Sequence, residues 1–80
     1  MGFMAYAKQT FSNSVVAVYE FGFRPEEPIH GSFVVSLADP SDWHVFGADR
    51  VPRTAEVTYR KGAALFGESG EWPLWISFNS

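Results

Sequence analysis

Short runs of alternating apolar and polar residues recur along this chain, and turn-forming residues separate them. Such alternation is typical of β-strands, whose successive side chains point to opposite faces of a sheet. Sustained apolar spacing of the helical kind is not evident in any window. Parallel pairing needs crossovers of about a dozen residues, for which the chain has little room. We therefore predict an all-β fold in which about five or six antiparallel strands form a small meander, barrel or compact sandwich.

The predicted strands span residues 3–11, 15–23, 29–38, 54–60 and 74–78. The turn formers at 12–14 predict a hairpin between the first two strands. The segment 41–48 fits one short helical turn or a short strand. The strand at 54–60 alternates most regularly, and Lys61-Gly62 predicts a bulge after it, with a continuation through 63–66. Pro73 predicts that the last strand begins there or lies at an edge, because proline cannot donate to a ladder.

The chain has 80 residues, of which 46% are hydrophobic and 18% aromatic, and it has no cysteine. This length predicts a single domain, residues 1–80. A short chain without disulfides needs a dense apolar core or a partner subunit to be stable. The absence of cysteine favours the reducing cytoplasm. We expect a soluble protein, because no targeting segment or bilayer-spanning run stands out.

Apolar side chains occupy more than one face of the predicted strands. Beside the main apolar row, the opposite face also carries large apolar residues: Val16, Val18, Val34 and Trp75. Water on that face would favour polar residues, so something is expected to cover it. A second copy of the chain is the favoured cover, and packing within the chain or a ligand surface are the alternatives.

Two further groups are candidate contact residues. Tryptophan is enriched at interface hot spots, which singles out Trp75 first and Trp43 beside it. An acidic block at residues 20–49 precedes a basic block at residues 50–61, which includes Arg53 and Arg60. These blocks either set the register of a partner or neutralise each other locally, and local neutralisation is the simpler interpretation.

No pattern of established catalytic or cofactor-binding residues is present. Asp39, Asp42 and His44 form a D-x-x-D-x-H run that fits either a divalent cation or an ordinary turn, and the turn is favoured. The chain lacks a G-x-S-x-G nucleophile elbow and a phosphate-binding glycine loop. We therefore expect no enzyme activity, no metal and no cofactor.

Taken together, these features predict a non-catalytic protein–protein interaction module that acts as a homo-oligomer. An inhibitor, an immunity-type protein or an assembly component fits this description. The alternative is a small β-barrel that binds a carbohydrate or single-stranded nucleic acid through tryptophans, or through Tyr59 with the arginines. The net charge of −3 argues against a nucleic-acid partner.

Overall fold

The computed structural model describes residues 2–80 and confirms a mostly antiparallel β fold. Five strands form one sheet: β1 (Met4–Ser12), β2 (Val16–Gly22), β3 (Gly31–Ser36), β4 (Trp43–Phe46) and β5 (Trp75–Asn79). One helix, α1 (Arg53–Ser69), lies between β4 and β5 along the chain. The strand order is β4-β3-β2-β1-β5. The first four strands therefore form a meander, and β5 returns to pair with β1 after the chain has crossed one face as α1.

The strand predicted at residues 54–60 is wrong, because this segment lies in the N-terminal part of α1. The bulge predicted at Lys61-Gly62 and the strand at 63–66 are wrong for the same reason. Small or hydroxylated residues form the buried side of the helix: Thr54, Ala55, Thr58 and Gly62. A search for apolar residues at helical spacing does not detect such a stripe.

Residues typical of helix boundaries stand at both ends of α1. Pro52 precedes the first helical residue, where its missing N–H costs nothing. Gly70 follows the last residue with φ of 80°, and its N–H donates to the Phe66 carbonyl at 2.7 Å. This left-handed conformation is typical of glycine at a helix C-terminus.

The remaining strands agree closely with their predicted positions. The hairpin between β1 and β2 is confirmed, and Asn13 Oδ1 accepts hydrogen bonds from the Val15 and Val16 N–H groups at 2.8 Å. The edge position predicted from Pro73 is confirmed, because β5 is an outer strand. Within 41–48, residues Trp43–Phe46 pair with β3, so the strand alternative holds and the helical turn does not.

The core lies between α1 and one face of the sheet. The helix packs against β1, β2 and β5. Its contacts enclose the largest fully buried side chains, which are mostly aromatic or aliphatic: Tyr19, Phe21, Phe33, Val35, Thr58 and Ile76. The opposite face of the sheet has no helix across it among residues 2–80. No helix in this part of the chain is long and apolar enough to cross a bilayer.

Candidate functional site: the open face of the sheet

We call the sheet surface opposite α1 the open face. Val18 of β2 pairs directly with Val34 of β3, and Val16 pairs with Ser36. Trp75 of β5 pairs with Lys8 of β1, at the other side of the same surface. Paired residues on antiparallel strands project to the same face. The structure therefore places on one face the four apolar residues that strand parity assigned to the second face, with Trp75 two strands away from Val18.

Three further apolar side chains enlarge this surface. Met4, Phe11 and Phe46 are 43%, 53% and 57% exposed, and Trp75 is 45% exposed. Met4, Phe11 and Phe46 were not among the contact residues predicted from the sequence. The parity of β1 and β4 contained the signal for Met4 and Phe46. Phe11 lies on the open face only because the β1–β2 register shifts between Gln9 and Phe11, where a bulge places Phe11 opposite Val18.

Two opposite charges lie within this apolar surface. Lys8 and Glu20 are direct partners in the β1–β2 register. In the part of the chain that the structure describes, neither forms an ion pair within 4.0 Å. The open face thus carries one cation and one anion whose charges have no close ion-pair partner among residues 2–80.

One end of the open face borders a cavity of about 320 Å³. Tyr6 and Trp75 stack in its wall with ring centroids 5.3 Å apart, and Arg24 and Glu26 also line it. The pKa of Tyr6 is raised above its ordinary value, first by burial and then by the negative charges of Glu20 and Glu26. A hydroxyl with a raised pKa stays protonated and remains a hydrogen-bond donor. The cavity therefore offers an aromatic wall beside charged groups.

The other predicted contact residues lie elsewhere. Trp43 projects to the helix side and stacks on Tyr59 of α1, with ring centroids 4.1 Å apart. Arg53 lies over the Phe3 ring at 4.9 Å, at the start of α1. Arg60 pairs with Glu56 at 3.3 Å on the exposed side of the helix. The structure does not bring Trp43, Arg53 or Arg60 together with the open-face valines.

The residues of the alternative nucleic-acid surface do not lie on a strand. Arg60 and Lys61 lie on α1 instead of a strand. Tyr59, the predicted stacking residue, is half-buried between neighbouring rings, and its hydroxyl donates to the Pro40 carbonyl. The acidic and basic blocks also make no ion pair with each other within 4.0 Å among residues 2–80.

The D-x-x-D-x-H run has the contacts of a turn. Asp39 Oδ1 accepts hydrogen bonds from the Ser41 N–H and from the Ser41 hydroxyl, at 3.2 and 2.7 Å. Asp42 Oδ1 and His44 Nε2 lie 3.2 Å apart, and both side chains are exposed. Within residues 2–80, no three acidic or histidine side chains converge on one point where a metal ion could bind.

Comparison of the chain with protein-family models, curated proteins and solved structures finds no match.

Proposed function

We propose that this chain is a non-catalytic protein–protein interaction module that acts as a homo-oligomer through its open face. The observation that carries the proposal is the exposure of Met4, Phe11, Phe46 and Trp75 around a centre of paired valines. A sheet face turned permanently towards water favours polar residues instead. The absence of cysteine favours action in the cytoplasm.

The open face is large enough for such a contact. Strands about 4.8 Å apart, rising about 3.3 Å per residue, give a five-stranded face a flat footprint of roughly 400 Å². Apolar side chains occupy only part of this footprint, because Ser32, Ser36 and His44 share the face with the valines. The charged residues within it are Lys8 and Glu20, so burial needs a partner that supplies opposite charges at matching positions.

A second copy of the chain supplies those charges. Lys8 and Glu20 lie side by side on neighbouring strands. When two open faces meet about a two-fold axis between these positions, Lys8 of each copy approaches Glu20 of the other. Self-complementarity of this kind is what an isologous interface requires. The valines and the exposed aromatic rings then form the apolar contact around two ion pairs.

Mass in solution tests this proposal, measured by light scattering over a concentration series. We expect the wild-type protein to assemble and Val34→Asp to lower its mass, because a carboxylate is then buried in the apolar part of the contact. Ala64→Asp is the matched control, since it adds the same charge at an exposed position of α1. This control should assemble like the wild type.

A charge exchange sharpens the test. Lys8→Glu should weaken assembly by placing like charges opposite each other. Combining it with Glu20→Lys should restore assembly, because the two charges then exchange places in both copies. A wild-type protein that stays monomeric at every concentration would contradict the proposal, and so would a Val34→Asp variant that assembles normally.

The alternative function, a small carbohydrate binder, is favoured by one observation. The cavity beside Tyr6 and Trp75 combines stacked aromatic rings with Arg24 and Glu26. Aromatic faces beside polar groups suit sugar rings, which have apolar faces and hydroxyl edges. In this alternative Trp75 contacts the ligand directly, whereas the valines at the centre of the open face do not.

A further inference from the structure

The outer edge of β5 carries backbone groups that no strand within residues 2–80 pairs with. Phe3 and Ser80 exchange two backbone hydrogen bonds, and Gln9 N–H donates to the Leu74 carbonyl. The same register continues between them along β1 and β5. Alternate residues of an antiparallel strand bond to opposite sides. The N–H and C=O groups of Trp75, Ser77 and Asn79 therefore point away from β1.

This edge lacks the usual protection against pairing. Exposed edges are commonly blocked by charged residues, prolines, bulges or very short strands. Residues 75–79 contain no charge and no proline, and their pairing with β1 has no register shift. The other edge differs, because β4 has only four residues and follows Asp42. The two edges of the sheet are thus unequal, and β5 is the one open to a further strand.

We infer that β5 pairs antiparallel with β5 of a second copy, about a two-fold axis at Ser77. The outward-pointing residues occupy alternate positions centred on Ser77, so this register places Trp75 opposite Asn79 in both directions. Each copy then supplies three donors and three acceptors, and the pair forms about six hydrogen bonds. Shifting the register by two residues leaves one outward residue of each copy without a partner.

This inference rests on the proposed self-association and names a second contact within it. A two-fold axis at the sheet edge runs perpendicular to the sheet, so the two copies form one continuous sheet with both open faces on the same side. Edge pairing therefore leaves the open faces free to pack on another such sheet. The edge axis lies outside β5 and the open-face axis passes between β1 and β2, so the two axes do not intersect. The two contacts together therefore form an open assembly instead of a closed tetramer.

Amide hydrogen exchange of the wild-type protein tests the edge directly. In dilute protein, we expect the amides of Ile76 and Phe78 to exchange slowly, because they already bond to β1. The amides of Trp75, Ser77 and Asn79 should exchange quickly in dilute protein and slow by roughly tenfold or more as the mass rises. Outward amides that exchange equally fast in concentrated protein would overturn the inference.

The variant Ser77→Pro tests the same edge contact by substitution. It removes an N–H that β1 does not use, and proline is tolerated where the N–H side of an edge strand faces outward. Ser77→Ala is the control, since both variants lose the hydrogen bond from Trp75 Nε1 to Ser77 Oγ. Only the proline should reduce the assembly to a dimer. If Ser77→Pro fails to fold, the exchange measurement on the wild type still decides.

The two contacts fail in different ways. If Val34→Asp lowers the mass and the outward amides never slow, the edge inference is overturned and the open-face proposal stands. If the outward amides slow with concentration while Val34→Asp keeps the full mass, the open-face proposal is overturned and edge pairing stands. Slowing of the outward amides in the Val34→Asp variant would support the edge independently of the face.

Discussion

Gly62 sets the distance between α1 and the sheet. A Cβ at this position would lie 2.7 Å from Ile76 Cδ1 and 2.7 Å from the Trp72 ring. Real carbon atoms do not approach so closely, so the helix would have to move or the neighbouring side chains would have to shift. Glycine in the middle of a helix carries a cost in propensity. At Gly62 the close packing of the helix against Ile76 and Trp72 offsets that cost.

Gly62→Ala should therefore destabilise the protein by about 1–2 kcal/mol. Overpacking costs about 1–3 kcal/mol, and the gain in helix propensity returns up to about 1 kcal/mol. Gly67→Ala is the control within the same helix, because nothing lies within 4 Å of its added Cβ. It should stabilise by up to about 1 kcal/mol in urea unfolding. Equal effects of the two substitutions would show that close approach does not constrain Gly62.

Residue positions were predictable wherever a strand stays regular. Side chains of Val16, Val18 and Val34 lie on the open face as alternation predicted, because β2 and β3 pair without a shift. Phe11 follows a register shift, and a single extra residue reverses the face of everything after it. No local pattern in the 3–11 run marks that bulge.

At the level of elements, α1 was missed although both of its ends were visible. Pro52 and Gly70 were readable as a helix start and stop. The interior of α1 instead predicts a strand, because Ala55, Val57 and Tyr59 alternate with polar residues. Burial of Thr58 is possible because its hydroxyl donates to the Thr54 carbonyl at 2.7 Å. A search for apolar residues does not identify a threonine that is buried because its hydroxyl has a hydrogen-bond partner.

Tyr19 connects three parts of the fold through its hydroxyl. It accepts a hydrogen bond from Gln9 of β1 at 3.2 Å and donates to the Pro73 carbonyl just before β5. Burial raises the pKa of Tyr19 above its ordinary value of 10.0, and the hydrogen bond from Gln9 partly opposes that rise. The folded state therefore favours the neutral phenol.

Stability should consequently fall in alkaline solution. The contribution of Tyr19 is fully present below pH 10.0, the ordinary tyrosine pKa. It is lost as the pH rises from there through the higher pKa of the folded state, because the unfolded chain ionises first. Tyr19→Phe should cost about 1 kcal/mol at neutral pH and reduce this alkaline loss, measured by urea unfolding at pH 8 to about 11. An unchanged alkaline slope would contradict this account.

For the whole molecule, the two proposed contacts predict a hierarchy of masses. The open face and the β5 edge use different surfaces, so their effects should be independent. We expect Val34→Asp and Ser77→Pro each to give dimers and the double variant to give a folded monomer. Light scattering measures the masses, and circular dichroism checks the fold. A double variant that still forms dimers would reveal a contact that neither surface provides.

The order of the strands in the sheet could not be predicted from the sequence. Alternation predicts that Trp75 lies in a strand, and Pro73 predicts an edge position, but neither identifies β1 as the neighbour. That pairing depends on α1 crossing the sheet face, whereas the alternation within 54–60 predicts a strand there. The open face was predictable in composition because parity needs only local order, whereas its boundary depends on which strands are neighbours.

The return of β5 to β1 has a consequence for how the protein forms. Their pairing joins Met4 to Asn79, so it closes the longest loop in the fold. Contacts of such sequence separation form slowly, because chain entropy is lost before they stabilise anything. During synthesis β1 keeps an unpaired side until residues 75–79 emerge. We therefore expect the strand that bears Trp75 to complete the sheet last.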